Sequence, residues 1–443
     1  MSSELSTAAK AEIDRTLKVL GNGFVFNMFS WFMMIPARPA MIGAAMGGDV
    51  TKTTTAMANM TSAASLMEFL LTPTLGVLSD KVGRRPVLLG SAAVAAVARL
   101  VTFLAADTGG SAVVYANYLD RAFSGSAFPL FITTAFASAA DLAKKHGHPA
   151  MLSALTAKVQ STMGVALVLS PPLGALVMQK FGPKYPALLA VLVSAAHFSY
   201  MRDNYVETRP EPAADDAPPP TAEAAAAEAK VAAGRSNPLS FLAFFRGDAT
   251  TATLSLAYLL YSLPVEMHDV RMSLMRQFKL TDGETAKVLA LLGVGTVVGG
   301  ISTGPGIKAL GPRAYTAAAS ACAVAFHLAW ARAHDYPTVT TTTLFSTFAS
   351  SATAPLKTAL TVRAMAAGML PGQISGSLSN LQGATKVVMP QVYSRLFAMF
   401  GQQAPFVFAA MATVAGLLVF NSVKEKQGSK EKGEKGKGEQ KEK

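Results

Sequence analysis

The chain has 443 residues, a formal net charge of +12, 51% hydrophobic residues and only 15% charged ones. A soluble chain carries roughly a quarter charged residues, and the mean hydropathy here is +0.34, so an ordinary soluble globular protein is excluded. The single cysteine, Cys322, excludes an intrachain disulfide and gives no metal-site spacing.

The N-terminal segment 1–19 lacks a short apolar core followed by a small-residue cleavage site. It reads as a cytosolic tail, with the first span serving as the insertion signal. A membrane-crossing helix needs about 20 mostly apolar residues, because the hydrocarbon core is about 30 Å thick and helix rise is about 1.5 Å per residue. That window predicts spans at 20–45, 56–78, 87–106, 112–137, 152–178 and 186–202. A second set follows at 250–268, 285–307, 313–333, 338–359, 374–399 and 404–422. The expected architecture is all-α and integral to the membrane, with twelve transmembrane helices in two pseudo-symmetric six-helix bundles, 20–202 and 250–422.

The stretch between them, 203–249, contains "EPAADDAPPPTAEAAAAEAK" and reads as a flexible cytosolic linker. The tail 423–443 is Lys/Glu/Gly low complexity and is expected to be disordered and cytosolic, in reach of anionic lipid. No aromatic is interleaved with its lysines, so a nucleic-acid partner is not expected. Lys and Arg concentrate in the segments that are inside if the N-terminus is cytosolic, which puts both termini in the cytosol. Which membrane this is, plasma or organelle, the pattern leaves open.

One short gap is unusually demanding. "GVLSDKVGRRP", Gly76 to Pro86, links the second and third spans. Gly76 permits close backbone approach, Gly83 a positive-φ turn, and Pro86 suits a first helical turn. Arg84 and Arg85 hold the turn inside, and Asp80 can form a charge-assisted bond that breaks when helices rock. The second half echoes it: "GPGIKALGPR" at Gly304 aligns without gaps, matching Gly76/Gly304, Gly83/Gly311 and Arg85/Arg313. Two halves related by an axis along the membrane normal is a transporter architecture.

This stretch resembles the signature loop of the major facilitator superfamily. "RAFSG", Arg121 to Gly125, resembles the family's arginine-plus-glycine motif of span four. "SPPLGA" resembles the antiporter element of span five through Pro171 and Gly174, with Ser170 and Ala175 replacing glycines. "ETRPE", Glu207 to Glu211, resembles a tail motif, and "LPGQISGSLSNLQGATKVVMPQVYSRLF" resembles span eleven of the tetracycline/proton antiporter-like branch. The second-half loop departs from the pattern, with Lys308 where the family often keeps an acid. The resemblance implies the major facilitator fold and a secondary transporter working by alternating access. It also implies a part for Arg121 in coupling.

Ionisable groups inside spans are costly and mark function. Glu68 lies twelve residues before Asp80 and Arg99 thirteen after Pro86, roughly 18 and 20 Å from the cytosolic turn. Asp120 and Arg121 fall roughly 13 Å in from the other side, so all four share one level. They form either a structural ion-pair network or a proton-coupling site in which Glu68 or Asp120 exchanges a proton beside Arg99 or Arg121. In the second half Lys386 lies near the midplane. It suits a water-filled cavity and an anionic or acceptor-rich substrate, or it pairs with Glu68 or Asp120 across the halves. Glu266, His268 and Asp269 lie toward the outer end of span seven, and His327 lies mid-depth in span nine, where packing is its usual role. Asn27, Ser30 and Trp31 with Asn380 and Gln382 could line the cavity, the alternative being helix–helix hydrogen bonding.

No phosphate-binding loop is present, so no nucleotide or other cofactor is expected and the chain does not read as an enzyme. The expected function is proton-coupled antiport of a small organic solute by a monomer, with the span-five element favouring export. The alternatives are a proton- or sodium-coupled metabolite importer and a non-transporting membrane sensor or scaffold on the same fold.

Overall fold

In the computed structural model the described residues are 6–147, 150–209, 237–349, 351–366 and 371–423, and among them the secondary structure is entirely helical. Most of the expected linker, 210–236, and the tail 424–443 lie outside the described residues. The first part of the chain folds as α1 (Thr7–Phe32), α2 (Met34–Ala45), α3 (Val50–Val82), α4 (Arg84–Ala105), α5 (Gly110–His146), α6 (Ala150–Phe181) and α7 (Tyr185–Asn204). A 3-10 turn at Pro238–Phe241 leads into the second part. There α8 (Leu242–Arg246), α9 (Ala249–Ser262), α10 (His268–Gln277), α11 (Asp282–Leu310) and α12 (Pro312–Arg332) are followed by α13 (Tyr336–Thr343) and α14 (Ser346–Ala349). The chain continues as α15 (Ala354–Ala366), α16 (Pro371–Phe400) and α17 (Gln403–Ser422).

Among the described residues, seven helices are long and apolar enough to cross a membrane. Every expected span overlaps helix, but three of them are broken rather than continuous. Prolines explain the breaks, because a proline ring clashes with the carbonyl four residues back and removes one hydrogen bond. Pro36 faces Phe32 and separates α1 from α2 at Met33. Pro264 sits in the 3-10 stretch Leu263–Met267 between α9 and α10. Pro355 opens α15 after the irregular stretch that ends α14.

The surface distribution is inverted relative to a soluble protein. Val97, Leu104, Ile301, Met411 and Leu418 are exposed, while Arg38, Arg99, Asp120, Thr54 and Thr134 are buried. A large apolar exterior is unfavourable in water by about 25 cal/mol per Å² and is stable in lipid. Within the first part α4 packs along α5 and α7, α3 along α5, and α1 along α6 and α7. Within the second part α17 packs against α12 and α9. The parts meet through α3 with α16 and α6 with α11. At the second contact a Cβ on Gly293 would lie 3.0 Å from the Val168 amide nitrogen, so the missing side chain lets these helices close.

The repeated loops fold alike. Gly83 ends α3 with φ +103° and Gly311 ends α11 with φ +79°, both in the region that favours glycine. Two residues later Arg85 donates to the carbonyl of Arg202, near the end of α7. Arg313 donates to the carbonyl of Val423, just past the end of α17.

Candidate functional site

The deepest charges of the first part gather around Asp120 of α5. Arg38 Nη2 of α2 donates to Asp120 Oδ2 at 2.6 Å, and Arg99 Nε of α4 lies 3.9 Å from Oδ1. Arg99 Nη1 also donates to Ser194 Oγ of α7 at 2.6 Å. All three charged side chains are buried, with Asp120 fully so. One carboxylate therefore holds two guanidinium groups, and four helices are tied at one point. Arg99 and Asp120 were legible as partners by depth. Arg38 was not singled out, although an arginine between Pro36 and Pro39 inside the first span was the available signal.

Glu68 does not join that cluster. It pairs across the contact between the parts with Lys386 of α16, Oε1 to Nζ at 3.7 Å. Their side chains retain 26% and 39% of their accessible surface, so neither is enclosed by protein. Further along the same two helices, Gln391 donates to Asn59 Oδ1 at 2.7 Å, and Ser394 Oγ lies 3.2 Å from Thr55 Oγ1. A Cβ on Gly383 would stand 3.1 Å from the Phe69 ring, so α3 and α16 touch closely beside the ion pair.

Arg121 lies over the Trp31 ring, 5.0 Å from its centroid, and Trp31 stacks on Phe128. Arg271 of α10 lies over Phe326 of α12 at 5.5 Å. Arg271 lies beyond the expected end of span seven at 268; after the break at Leu263–Met267 the chain continues as helix through it. Glu266 is within electrostatic reach of Lys386, Asp269, Arg121 and Glu68. His268 is exposed although protein surrounds it, and it feels the charge of both Arg271 and Arg121.

The other expected cavity residues are placed differently. Asn27 is buried inside the first part, and its carbonyl accepts from Ser30 Oγ at 3.1 Å. Asn380 is turned to the start of the second part, donating to Ser240 Oγ at 3.0 Å and to the Asn237 carbonyl at 3.4 Å. Gln382 is exposed, and its carbonyl caps Thr385 Oγ1 at 2.7 Å. Asparagine and glutamine in a helix report polarity, not direction, so depth alone could not separate these outcomes.

The turn after α3 is a dense latch. Arg84 is buried and donates to Asp141 at 3.0 Å, to Ser79 Oγ at 2.7 Å and to Asp80. Glu207 accepts from the backbone N–H groups of Arg84 at 3.0 Å and Arg85 at 2.9 Å, and so caps α4 from a distance of more than a hundred residues in sequence. Gly83 is required twice over, by its positive φ and because a Cβ would lie 2.7 Å from Glu207 Oε2. Gly76 lies inside α3. Of the span-five motif, Pro171 is buried within α6, and Gly174 meets the break between α1 and α2: a Cβ there would lie 2.3 Å from the Met33 carbonyl oxygen.

Among the described residues no group of three or more His, Cys, Asp or Glu could hold a metal ion. The Major Facilitator Superfamily model matches residues 20–370. No curated protein matches the sequence. Among solved structures, the human organic anion transporter MFSD10 (TETRAN) is 20% identical, with a TM-score of 0.61, covering 92% of this chain and 99% of its own. A POT family transporter in complex with 5-aminolevulinic acid is 12% identical, with a TM-score of 0.68 over 92% of this chain and 96% of its own. The nucleoside transporter NupG is 9% identical, with a TM-score of 0.66 over 92% and 98%. At these identities the likeness is one of fold.

Proposed function

The chain belongs to the major facilitator superfamily, and from that premise we propose that this multi-pass membrane transporter carries a small organic solute by alternating access, coupled to protons. The observation that carries the reading is the ion pair between Glu68 and Lys386, which bridges α3 and α16 where the two parts of the molecule meet. Alternating access requires contacts between the parts to break and reform. A proton on Glu68 removes the negative charge, releases Lys386 and weakens that contact, so proton binding biases the two arrangements differently. Asp120 is a structural tie in this reading, because one carboxylate serving two arginines is expensive to neutralise. Glu266 stands in reach of Lys386 and can receive it when Glu68 lets go.

Twelve crossings complete the proposal. The seven apolar helices supply most of them. The polar α3, α7 and α16 and the broken segments α9–α10 and α13–α15 supply the rest. The matched contacts of Arg85 and Arg313 support two related halves, 20–202 and 250–422, joined by a cytosolic linker over 203–249. The excess of Lys and Arg supports cytosolic termini. Resemblance to the tetracycline/proton antiporter-like branch, and the place of Pro171 and Gly174 on α6, support export by a monomer.

The test is solid-supported-membrane electrophysiology on purified protein in liposomes, screening solute pools under a pH gradient. The expected result is a solute-dependent current that Glu68→Gln abolishes. Solute flux independent of a pH gradient in both proteins would leave a uniporter and remove Glu68 from coupling.

A further inference from the structure

The two parts of the chain meet along two lines of different chemistry. Along one, α3 faces α16 with polar side chains: Thr55 with Ser394, Asn59 with Gln391, and Glu68 with Lys386. Along the other, α6 faces α11 with glycine and valine. A Cβ on Gly164 of α6 would lie 2.4 Å from Val297 Cγ2, and a Cβ on Gly293 of α11 would lie 3.0 Å from Val168 Cγ2. Each helix thus carries a notch one turn before a knob, and each knob fills the notch of the other. The sequence repeats the device: "GVALV" begins at Gly164 and "GVGTV" at Gly293. Residues four apart share a helix face, so glycine and second valine meet the partner helix. The valines between them, Val165 and Val294, are exposed.

A reciprocal fit of this kind constrains motion. Sliding α6 along α11 would lift both valines out of their notches and drive them onto backbone. The clearance is already small, since a Cβ on Gly293 would stand 3.0 Å from the Val168 amide nitrogen and 3.1 Å from the Leu167 carbonyl carbon. Changing the angle between the helices costs less. The interlock lies near the middle of both, α6 having 32 residues and α11 29, so tilting moves the helix ends far and the interlock little. Methyl contacts have no preferred direction, whereas hydrogen bonds weaken steeply when misaligned. The α3–α16 line is built for the reverse. Its hydroxyl, amide and ionic contacts contribute little net energy when water or another polar group replaces the partner. Pro390 also removes the helical bond to the Lys386 carbonyl, which frees α16 to bend at its ion pair.

We propose that the interlocked Gly164/Val297 and Gly293/Val168 pairs are the fulcrum on which the two parts rock, staying closed while the α3–α16 line exchanges its partners. This rests on the alternating-access reading and names where that motion turns. It makes the two lines unequal: one holds the parts together in every state, and the other opens.

The test is a pair of disulfides in the full-length protein with Cys322→Ser, followed by hydrogen exchange read by mass spectrometry. Gly164→Cys with Val297→Cys crosslinks the fulcrum; a Cβ at 164 lies 3.7 Å from Val297 Cβ, within the disulfide range of about 3.5–4.5 Å. Thr55→Cys with Ser394→Cys crosslinks the other line, its sulfurs replacing hydroxyl oxygens 3.2 Å apart. The second disulfide is expected to slow exchange in 50–66 and 388–400 by about tenfold or more, and the first to leave it within about twofold. A fulcrum disulfide that slows exchange as much as the other would overturn the fulcrum and leave alternating access with both lines opening. Failure of 164 and 297 to crosslink in the folded protein would overturn the interlock. No slowing by the Thr55/Ser394 disulfide would mean that this line does not open, and would remove the alternating-access reading together with the fulcrum. If the cysteine variants do not fold, alanines decide. Gly164→Ala should lower the melting temperature and the added Val297→Ala should recover it; no recovery would overturn the interlock.

Discussion

Glu68 and Lys386 stand 3.7 Å apart although one belongs to α3 and the other to α16. Each is partly exposed and the contact is long, so the pair contributes about 1 kcal/mol or less to folding. On the proposed reading its weight is in transport. Glu68→Gln and Lys386→Gln are therefore expected to fold and to melt within a few degrees of wild type. Glu68→Gln should lose the component of flux driven by a pH gradient, and the liposome current measures it. A variant that melts like wild type and still responds to the gradient would take the proton away from this pair.

Asp120 should behave in the opposite way. It is fully buried between Arg38 and Arg99. Asp120→Asn leaves two buried cations facing a neutral amide, a loss of about 3–5 kcal/mol. Removing one of them as well, in Asp120→Asn with Arg38→Gln, should restore a good part of it. Thermal denaturation in detergent reads both. Equal melting temperatures for wild type and Asp120→Asn would mean that the cluster is not what ties α2, α4 and α5 together.

The contrast between these two acids marks how far a sequence can be read. Depth was read from residue counts, Glu68 and Arg99 from the cytosolic turn and Asp120 and Arg121 from the other side, and of the four Arg99 and Asp120 do meet. Azimuth was not, because a helix with apolar residues on most faces carries little periodicity to orient it. Glu68 could thus be placed beside either Arg99 or Lys386, and only the packing of α3 on α16 decides. The twenty-residue window also smooths over proline. It ran one span through Pro36 and ended another at 268, and so it overlooked Arg38 and left Arg271 outside span seven. The local part of the turn was readable, since Gly83, Asp80 and Arg84 act within a few residues of one another. Its partner Glu207 was visible as a motif, but its role required the fold.

Glu207 gives the pH prediction. Burial pushes its carboxyl upward, but backbone N–H bonds from Arg85, Arg209, Arg84 and Thr208 outweigh that and hold it below the usual glutamate range. A carboxylate whose pKa is lowered on folding stabilises the protein above its unfolded pKa and loses that contribution as pH falls through the folded value. Glu207→Gln should cost about 1 kcal/mol at neutral pH, the scale of a lost helix cap at a partly exposed site. The gap in melting temperature between wild type and Glu207→Gln should then close below about pH 4. A gap that is constant from neutral to acid pH would show that the carboxylate charge is not what caps α4.

Gly174 and Gly90 make the last comparison, because both lie inside helices and only one is crowded. A Cβ on Gly174 would meet the Met33 carbonyl oxygen at 2.3 Å, where the break between α1 and α2 rests on α6. A Cβ on Gly90, in α4, meets nothing within 4 Å. Gly90→Ala should be neutral or stabilising by up to about 1 kcal/mol, since alanine loses less backbone freedom in a helix. Gly174→Ala must push α6 off the break or distort it, at about 1–3 kcal/mol, and Gly174→Leu should abolish the folded protein. Yield of monodisperse protein and melting temperature measure both. Gly174→Ala and Gly90→Ala proteins of equal stability would mean that α6 has room at Met33, and that the span-five motif serves something other than this contact.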